Sequence, residues 1–247
     1  MAVNLILHQI KTFQFLKLEL FFYLIGAVIE VVALYFFLNI LMGDILKVRS
    51  SEIILVLGMH RLLTGVSRTF YLNQLLALPV NFRRGLLDRY FLAPINTKIY
   101  YCLDSFSVKD ILNIIVGIVL VIYGIPDINI YSVTKTCILL IMINIILFSV
   151  LITISSLLAG KVNPGPLNAI FVNIFALAQF KPEHFPDPFS IVIKFIIPLG
   201  LLIWKPIELI THPTIQDFSV FLTITLILYF FQKKAWLWLM YRYNSAN

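Results

Sequence analysis

One stretch of this 247-residue chain has a catalytic spacing, His212-Pro-Thr-Ile-Gln-Asp217. A His-x4-Asp pair serves glycerolipid acyltransferases, where the Asp orients a His that takes a proton from a hydroxyl. Here the pair lies in a polar loop expected to face outward, away from cytoplasmic acyl donors, with no supporting domain around it. It reads as a coincidence of loop composition. His8, His60 and His184 are scattered and do not converge with acids or nucleophiles, as a membrane-embedded lipid enzyme would require. Cys102 and Cys137, the two cysteines, are expected near opposite membrane faces and point to neither a disulfide nor a metal site. No G-x-x-x-x-G-K-[ST] run occurs, so the chain cannot cradle a nucleotide phosphate by that route, and any ATP hydrolysis belongs to another chain.

The ionisable residues inside apolar stretches carry more information. These are Glu30, Arg61, Arg68, Asp104 and Asp110. A charge at the bilayer centre costs about 2.5–3.5 kcal/mol, so such side chains must face protein or water. Arg61 and Arg68, with Thr64 and Gly65 between them, share one helical face. Glu30, Arg68 and Asp110 fall at similar depth, with Asp104 nearer the inner surface. Two readings stay open: an ion-paired clamp of Arg68 with Glu30 or Asp110 across the first three helices, or a polar translocation path or proton relay.

The densest basic stretch follows the second apolar run. Over 81–96 the spacing predicts an amphipathic helix, with Phe82, Leu86, Tyr90 and Ala93 on one face. Asn81, Arg84 and Asp88 take the other, the last two as an i,i+4 pair. Such a helix either anchors a loop on the lipid surface or docks a cytoplasmic partner.

The elements that hold these residues follow from composition. The chain is 60% hydrophobic and 13% charged, with a mean hydropathy of +0.95, so lipid is the solvent for much of it. The expected fold is all-α: one polytopic transmembrane bundle over 1–247 with about six spans. The spans are placed at 19–42, 53–79, 99–125, 132–159, 167–180 and 215–232. Residues 1–17 read as an interfacial amphipathic helix rather than a cleavable signal. The segment 182–214 is too broken by Pro198 and Pro206 to cross; it is expected to form two short re-entrant helices that return to the outer face. The net charge of +7 is explained by Lys and Arg gathered on the inner side, without nucleic acid. The positive-inside pattern places both termini in the cytoplasm of a cell (inner or plasma) membrane.

Three motifs resemble a known family. Gly85-Leu-Leu-Asp-Arg-Tyr-Phe-Leu-Ala-Pro-Ile-Asn96 resembles a loop written G-x-L-D-x-x-L-x-x-P-x-N. Phe195-Ile-Ile-Pro-Leu-Gly-Leu-Leu-Ile-Trp-Lys-Pro206 resembles I-I-P-x-x-x-x-x-x-x-P. Trp236 with Tyr241-Arg-Tyr-Asn-Ser-Ala246 resembles a terminal W-x-x-G-x-x-x-Y-x-S-A, with Leu237 through Met240 lacking the Gly. Together, in order and spacing, they resemble the ABC type-2 (ABC-2) exporter permeases, within them the branch often grouped with viologen and drug exporters. The resemblance implies an interfacial N-terminal helix, six spans and a coupling helix that meets the ATPase, here Arg83, Arg84, Gly85, Asp88, Arg89 and Pro94. It also implies an outer gate of re-entrant helices at Pro198 and Pro206. A second permease, copy or paralogue, would complete the path. The ATPase subunits would hold ATP and Mg, and this chain no cofactor. An ATP-independent channel or secondary transporter is the competing reading, with the lipid enzyme behind it; an adjacent ATPase gene would separate them.

Overall fold

The computed structural model describes residues 17–45, 48–104, 106–125, 128–160, 169, 173, 175–181, 185–186 and 201–243. Lys17 aside, the interfacial helix expected over 1–17 lies outside them, as do Pro198 and six of the fourteen residues of the expected fifth span. All regular structure among the described residues is helical. Helix α1 (Lys17–Leu38) runs on into a π-helical stretch, Asn39–Ile45. There follow α2 (Ser50–Phe70), α3 (Leu72–Arg83), the short α4 (Asp88–Phe91) and α5 (Thr97–Leu103), then α6 (Ile111–Gly124) and α7 (Ile130–Leu157). The last two are α8 (Trp204–Thr211) and α9 (Ile215–Arg242).

Among the described residues, four helices are long and apolar enough to cross a membrane: Leu18–Gly43, Ser50–Phe70, Ile130–Leu157 and Ile215–Arg242. Apolar α6 has 14 residues, about 21 Å of rise at 1.5 Å each, short of the ~30 Å hydrocarbon core. The chain is a multi-pass membrane protein whose buried side chains form a continuous apolar core.

Glycine sets the closest contact in the bundle. In α2, Gly58 and Gly65, seven residues apart, share one face; in α6, Gly117 and Gly124 answer them. A Cβ at Gly58 would stand 2.8 Å from the Val121 backbone N, one at Gly65 2.8 Å from that of Ile114, and one at Gly117 2.7 Å from that of Leu62. The two backbones touch, as small residues allow in membranes, where apolar burial alone gives little drive for helix association.

Two expected elements differ from expectation. The span placed at 99–125 is interrupted: α5 ends at Leu103 and α6 starts at Ile111. Asp104, Ser107, Lys109 and Asp110 crowd the break, and the backbone gains a fixed partner there through Ser107 N–H donating to Thr69 O, 3.1 Å. The helix expected over 81–96 is also not continuous. Helix α3 stops at Arg83, Gly85 turns the chain with φ +68°, and only Asp88–Phe91 is helical again. A positive φ is nearly free for glycine alone. With the helix broken, Leu87 and Tyr90 become the buried anchors, and Leu86 faces out.

The ends of the bundle are distinct. At one end, Gly160 N–H donates to Pro79 O across 3.2 Å, and Leu87 N–H donates to the Tyr243 hydroxyl across 3.2 Å, gathering the ends of α3, α7 and α9 around the 84–97 segment. At the other, Lys135 Nζ of early α7 donates to Ile210 O of α8 across 3.0 Å. Helix α8 has 8 residues and is too short to cross.

Candidate functional site

The flank formed by α1, α2 and α6 gathers polar groups from three helices. On α2, His60, Arg61, Thr64 and Arg68 occupy one arc, because residues four apart are helix neighbours. The glycine contact beside them brings α6 near enough for Arg61 Nη1 to donate to Asn113 Oδ1 at 3.1 Å. Arg61 Nη2 lies 2.8 Å from Glu30 Oε2 of α1, the Arg61 side chain 7% exposed and that of Glu30 59%. Asn113 Nδ2 donates to the Tyr23 hydroxyl at 2.8 Å, and that hydroxyl donates to Asp110 Oδ1 at 3.1 Å. Ser107 Oγ donates to Asp110 Oδ2 at 2.6 Å. One polar chain thus runs Glu30–Arg61–Asn113–Tyr23–Asp110–Ser107.

This corrects the clamp expected from the sequence. The partner of Glu30 is Arg61, not Arg68, and Asp110 receives hydroxyl donors instead of a guanidinium. Arg68 is exposed on the same flank. It lines two adjoining cavities, of about 520 and 410 Å³, that share Glu30, His60, Thr64 and Arg68. Gln179 closes one side by meeting His60 Nε2 at 3.3 Å, and is itself placed by Trp204 Nε1 donating to its carbonyl at 3.1 Å.

The second site is the 84–97 segment. Asp104, just past α5, accepts from Arg89 at 2.5 Å, from the Tyr90 hydroxyl at 2.7 Å and from Gln74 Nε2 at 3.2 Å. Tyr90, 1% exposed, stacks edge-on against Tyr101 with centroids 4.9 Å apart. Burial, with the hydrogen bond to Asp104, pushes the Tyr90 hydroxyl up to about 12. Burial and then a hydrogen bond to Asp88 raise the Tyr243 hydroxyl as well, so Asp88 is tied to the end of α9 and not to Arg84. What faces outward from this anchored turn is Arg83, Arg84, Leu86, Arg89, Phe91, Leu92 and Pro94, with Leu92 87% exposed.

The His-x4-Asp pattern has a structural role. Thr214 is the N-cap of α9: its Oγ1 accepts from Asp217 N–H at 3.1 Å and donates to Asp217 Oδ2 at 2.6 Å, a variant of the capping box. Lys205 Nζ holds the other oxygen at 2.9 Å. Asp217 is therefore engaged by Thr214 and Lys205 and does not orient His212. Pro206 lies in the first turn of α8, where a missing N–H costs no helical bond. Among the described residues, no group of three or more His, Cys, Asp or Glu could hold a metal.

The profile of the ABC-2 family transporter protein matches residues 24–247. The chain belongs to the ABC-2 transporter family. No curated protein and no solved structure matches it. As an ABC-2 member it is a transmembrane permease, a component of membrane transport that works among ABC-transporter partners.

In the ABC-2 permease the five ionisable residues expected within the membrane sort into two sets. Glu30, Arg61 and Arg68 border the flank cavities, with Asp110 behind them, whereas Asp104 joins Arg89 in the anchored turn. Sequence reasoning passed over Asn113, Tyr23, Gln74 and the four glycines. The glycines had a signal: Gly58/Gly65 and Gly117/Gly124 each recur at seven residues, the spacing of one helical face. Asn113 and Gln74, uncharged, stood out less.

Proposed function

We propose that this permease is the membrane subunit of an ABC exporter, with ATP and Mg handled by separate ATPase subunits and the path completed by a second permease, copy or paralogue. The observation that carries the reading is the 84–97 segment. It combines exposed cationic and apolar side chains with a rigid anchorage at Asp104 and Tyr243, so a push on the turn is passed to α3, α5 and α9 rather than lost in a loose loop. Arg83, Arg84, Gly85, Asp88, Arg89 and Pro94 form or support this coupling surface. Gly85 makes the turn, Asp88 and Arg89 hold it, and Arg83, Arg84 and Pro94 face the partner.

The same reading takes six spans, with the interrupted 97–124 stretch as the third, both termini cytoplasmic, and the protein in the inner or plasma membrane. The described chain starts and stops toward the coupling end, since Tyr23 meets Asp110 near Thr69 and Tyr243 meets Leu87. Helix α8, with Pro206, belongs to the outer gate at the opposite end.

The test is co-purification. Arg84→Glu with Leu92→Glu reverses one exposed charge and removes one exposed apolar contact while leaving Asp104 and Tyr243 untouched. The variant should insert normally, yet lose recovery of the ATPase in pull-downs from native membranes at least tenfold. Undiminished recovery would remove the coupling assignment.

A further inference from the structure

Of the charged groups around the two flank cavities, most are answered. Glu30 and Arg61 neutralise each other at 2.8 Å. Asp110 is 3% exposed, lies behind Tyr23, and spends its oxygens on Tyr23 and Ser107. Arg68 lines both cavities and, among the described residues, forms no hydrogen bond or ion pair. It stands two helical turns from Arg61, too far along α2 for Glu30 to serve both. Around it the second cavity is divided between a polar side, with Glu30, His60 and Thr64, and an apolar wall of Leu34, Leu72, Leu76 and Phe175, with the Asn73 amide as a further donor.

A guanidinium at membrane depth needs a counter-charge, and its planar fork fits the oxygens of a phosphate or carboxylate. A resident Asp would satisfy it permanently; an Arg68 that borders both cavities beside an apolar wall suits a counter-charge that comes and goes. We propose that this compound cavity binds an anionic amphiphile. Its phosphate or carboxylate sits on Arg68 with the Asn73 amide beside it, and its apolar part lies along Leu34, Leu72, Leu76 and Phe175. Calling that amphiphile cargo rests on the permease reading; its binding does not, because the purified chain alone reports it.

The experiment uses the full chain in dodecyl maltoside and isothermal titration with four probes: hexyl phosphate, hexanoate, inorganic phosphate and hexyltrimethylammonium. Hexyl phosphate should bind saturably at one site per chain, with hexanoate weaker and inorganic phosphate at least tenfold weaker for want of the apolar part. Arg68→Gln should weaken hexyl phosphate at least tenfold and Arg68→Lys less, since Lys keeps the charge and loses the fork. Equal melting temperatures and elution profiles show that the variants fold; if Arg68→Gln does not, Arg68→Lys and the probe series still decide. Equal hexyl phosphate binding by wild type and variants, non-saturable uptake, or preference for hexyltrimethylammonium overturns the proposal. Inorganic phosphate binding as tightly as hexyl phosphate would overturn the amphiphile assignment, and failure of every probe to bind the whole. None of these outcomes alters ATPase recovery, so the site and the coupling surface can fail separately.

Discussion

Arg61 and Glu30 illustrate how a charge persists inside a bilayer. The guanidinium is 7% exposed; Nη2 pairs with Glu30 and Nη1 donates to Asn113, which offsets part of the desolvation, while Nε has no hydrogen-bond partner among the described residues. Removing one member of a fully buried pair typically costs about 3–5 kcal/mol; with Glu30 59% exposed, losing Arg61 costs less, yet leaves the carboxylate without its partner. Arg61→Leu should therefore lower folded yield and melting temperature in detergent, and adding Glu30→Gln should restore part of both. Absence of any rescue by Glu30→Gln, in fluorescence-detected size exclusion, would remove the pair as a stabilising contact. The charged residues themselves were legible in the sequence, as was the shared face of Arg61 and Arg68. The partner was not: whether Glu30 meets residue 61 or 68 depends on how far α1 slides along α2, which packing decides and helical periodicity does not. The same limit applied to Asp88. Its spacing from Arg84 favours a pair only in a continuous helix, and Gly85 ends that helix.

Between elements, the α2–α6 contact fixes the register on which the polar chain depends. Adding a methyl at Gly117 would place it 2.7 Å from the Leu62 backbone N, an atom that cannot swing aside, so the helices must separate. Overpacking of this kind costs about 1–3 kcal/mol. At Gly26 of α1, by contrast, nothing stands within 4 Å of the added Cβ, and alanine gains about 0.8–1.0 kcal/mol of helix propensity over glycine. Gly117→Ala should thus lower the melting temperature while Gly26→Ala holds or raises it. The same direction of change for both would show that α2 and α6 are not in backbone contact. Apolar length alone revealed α1, α7 and α9, because each is a long helix whose boundaries follow hydropathy. It missed the break within the third span. Asp104, Ser105, Ser107, Lys109 and Asp110 are five polar residues within seven positions, a signal for the break that the apolar runs on either side outweighed. The 81–96 stretch erred the other way: its apolar residues fit one helical face, but Gly85 and Pro94 were the better guides to where helix stops.

At the scale of the whole molecule, the two ends differ in charge. Arg83, Arg84, Arg89, Lys98, Lys233, Lys234 and Arg242 gather toward the end where Leu87 meets Tyr243 and where Lys98 donates to Gln232 at 3.1 Å. At the α8 end two lysines are matched by acids, Lys181 at 3.2 Å from Glu208 and Lys205 at 3.4 Å from Glu208 and 2.9 Å from Asp217, and Lys135 is held by the Ile210 carbonyl. Cationic excess stays on the cytoplasmic side during insertion, whereas acids contribute little to orientation. The coupling end should then face the cytoplasm and α8 the outside. The two native cysteines, Cys102 buried and Cys137 exposed, are first replaced by alanine and serine. Leu92→Cys and His212→Cys then each carry one reporter at an exposed position that anchors nothing. In intact cells a membrane-impermeant maleimide should modify the cysteine at 212 and spare that at 92, which should react only after the membrane is opened. Reversed labelling would invert the protein and place the Arg84 and Leu92 surface beyond the reach of any cytoplasmic ATPase. Labelling of both sites in intact cells would mean that the 84–97 turn and α8 do not lie on opposite sides of the membrane.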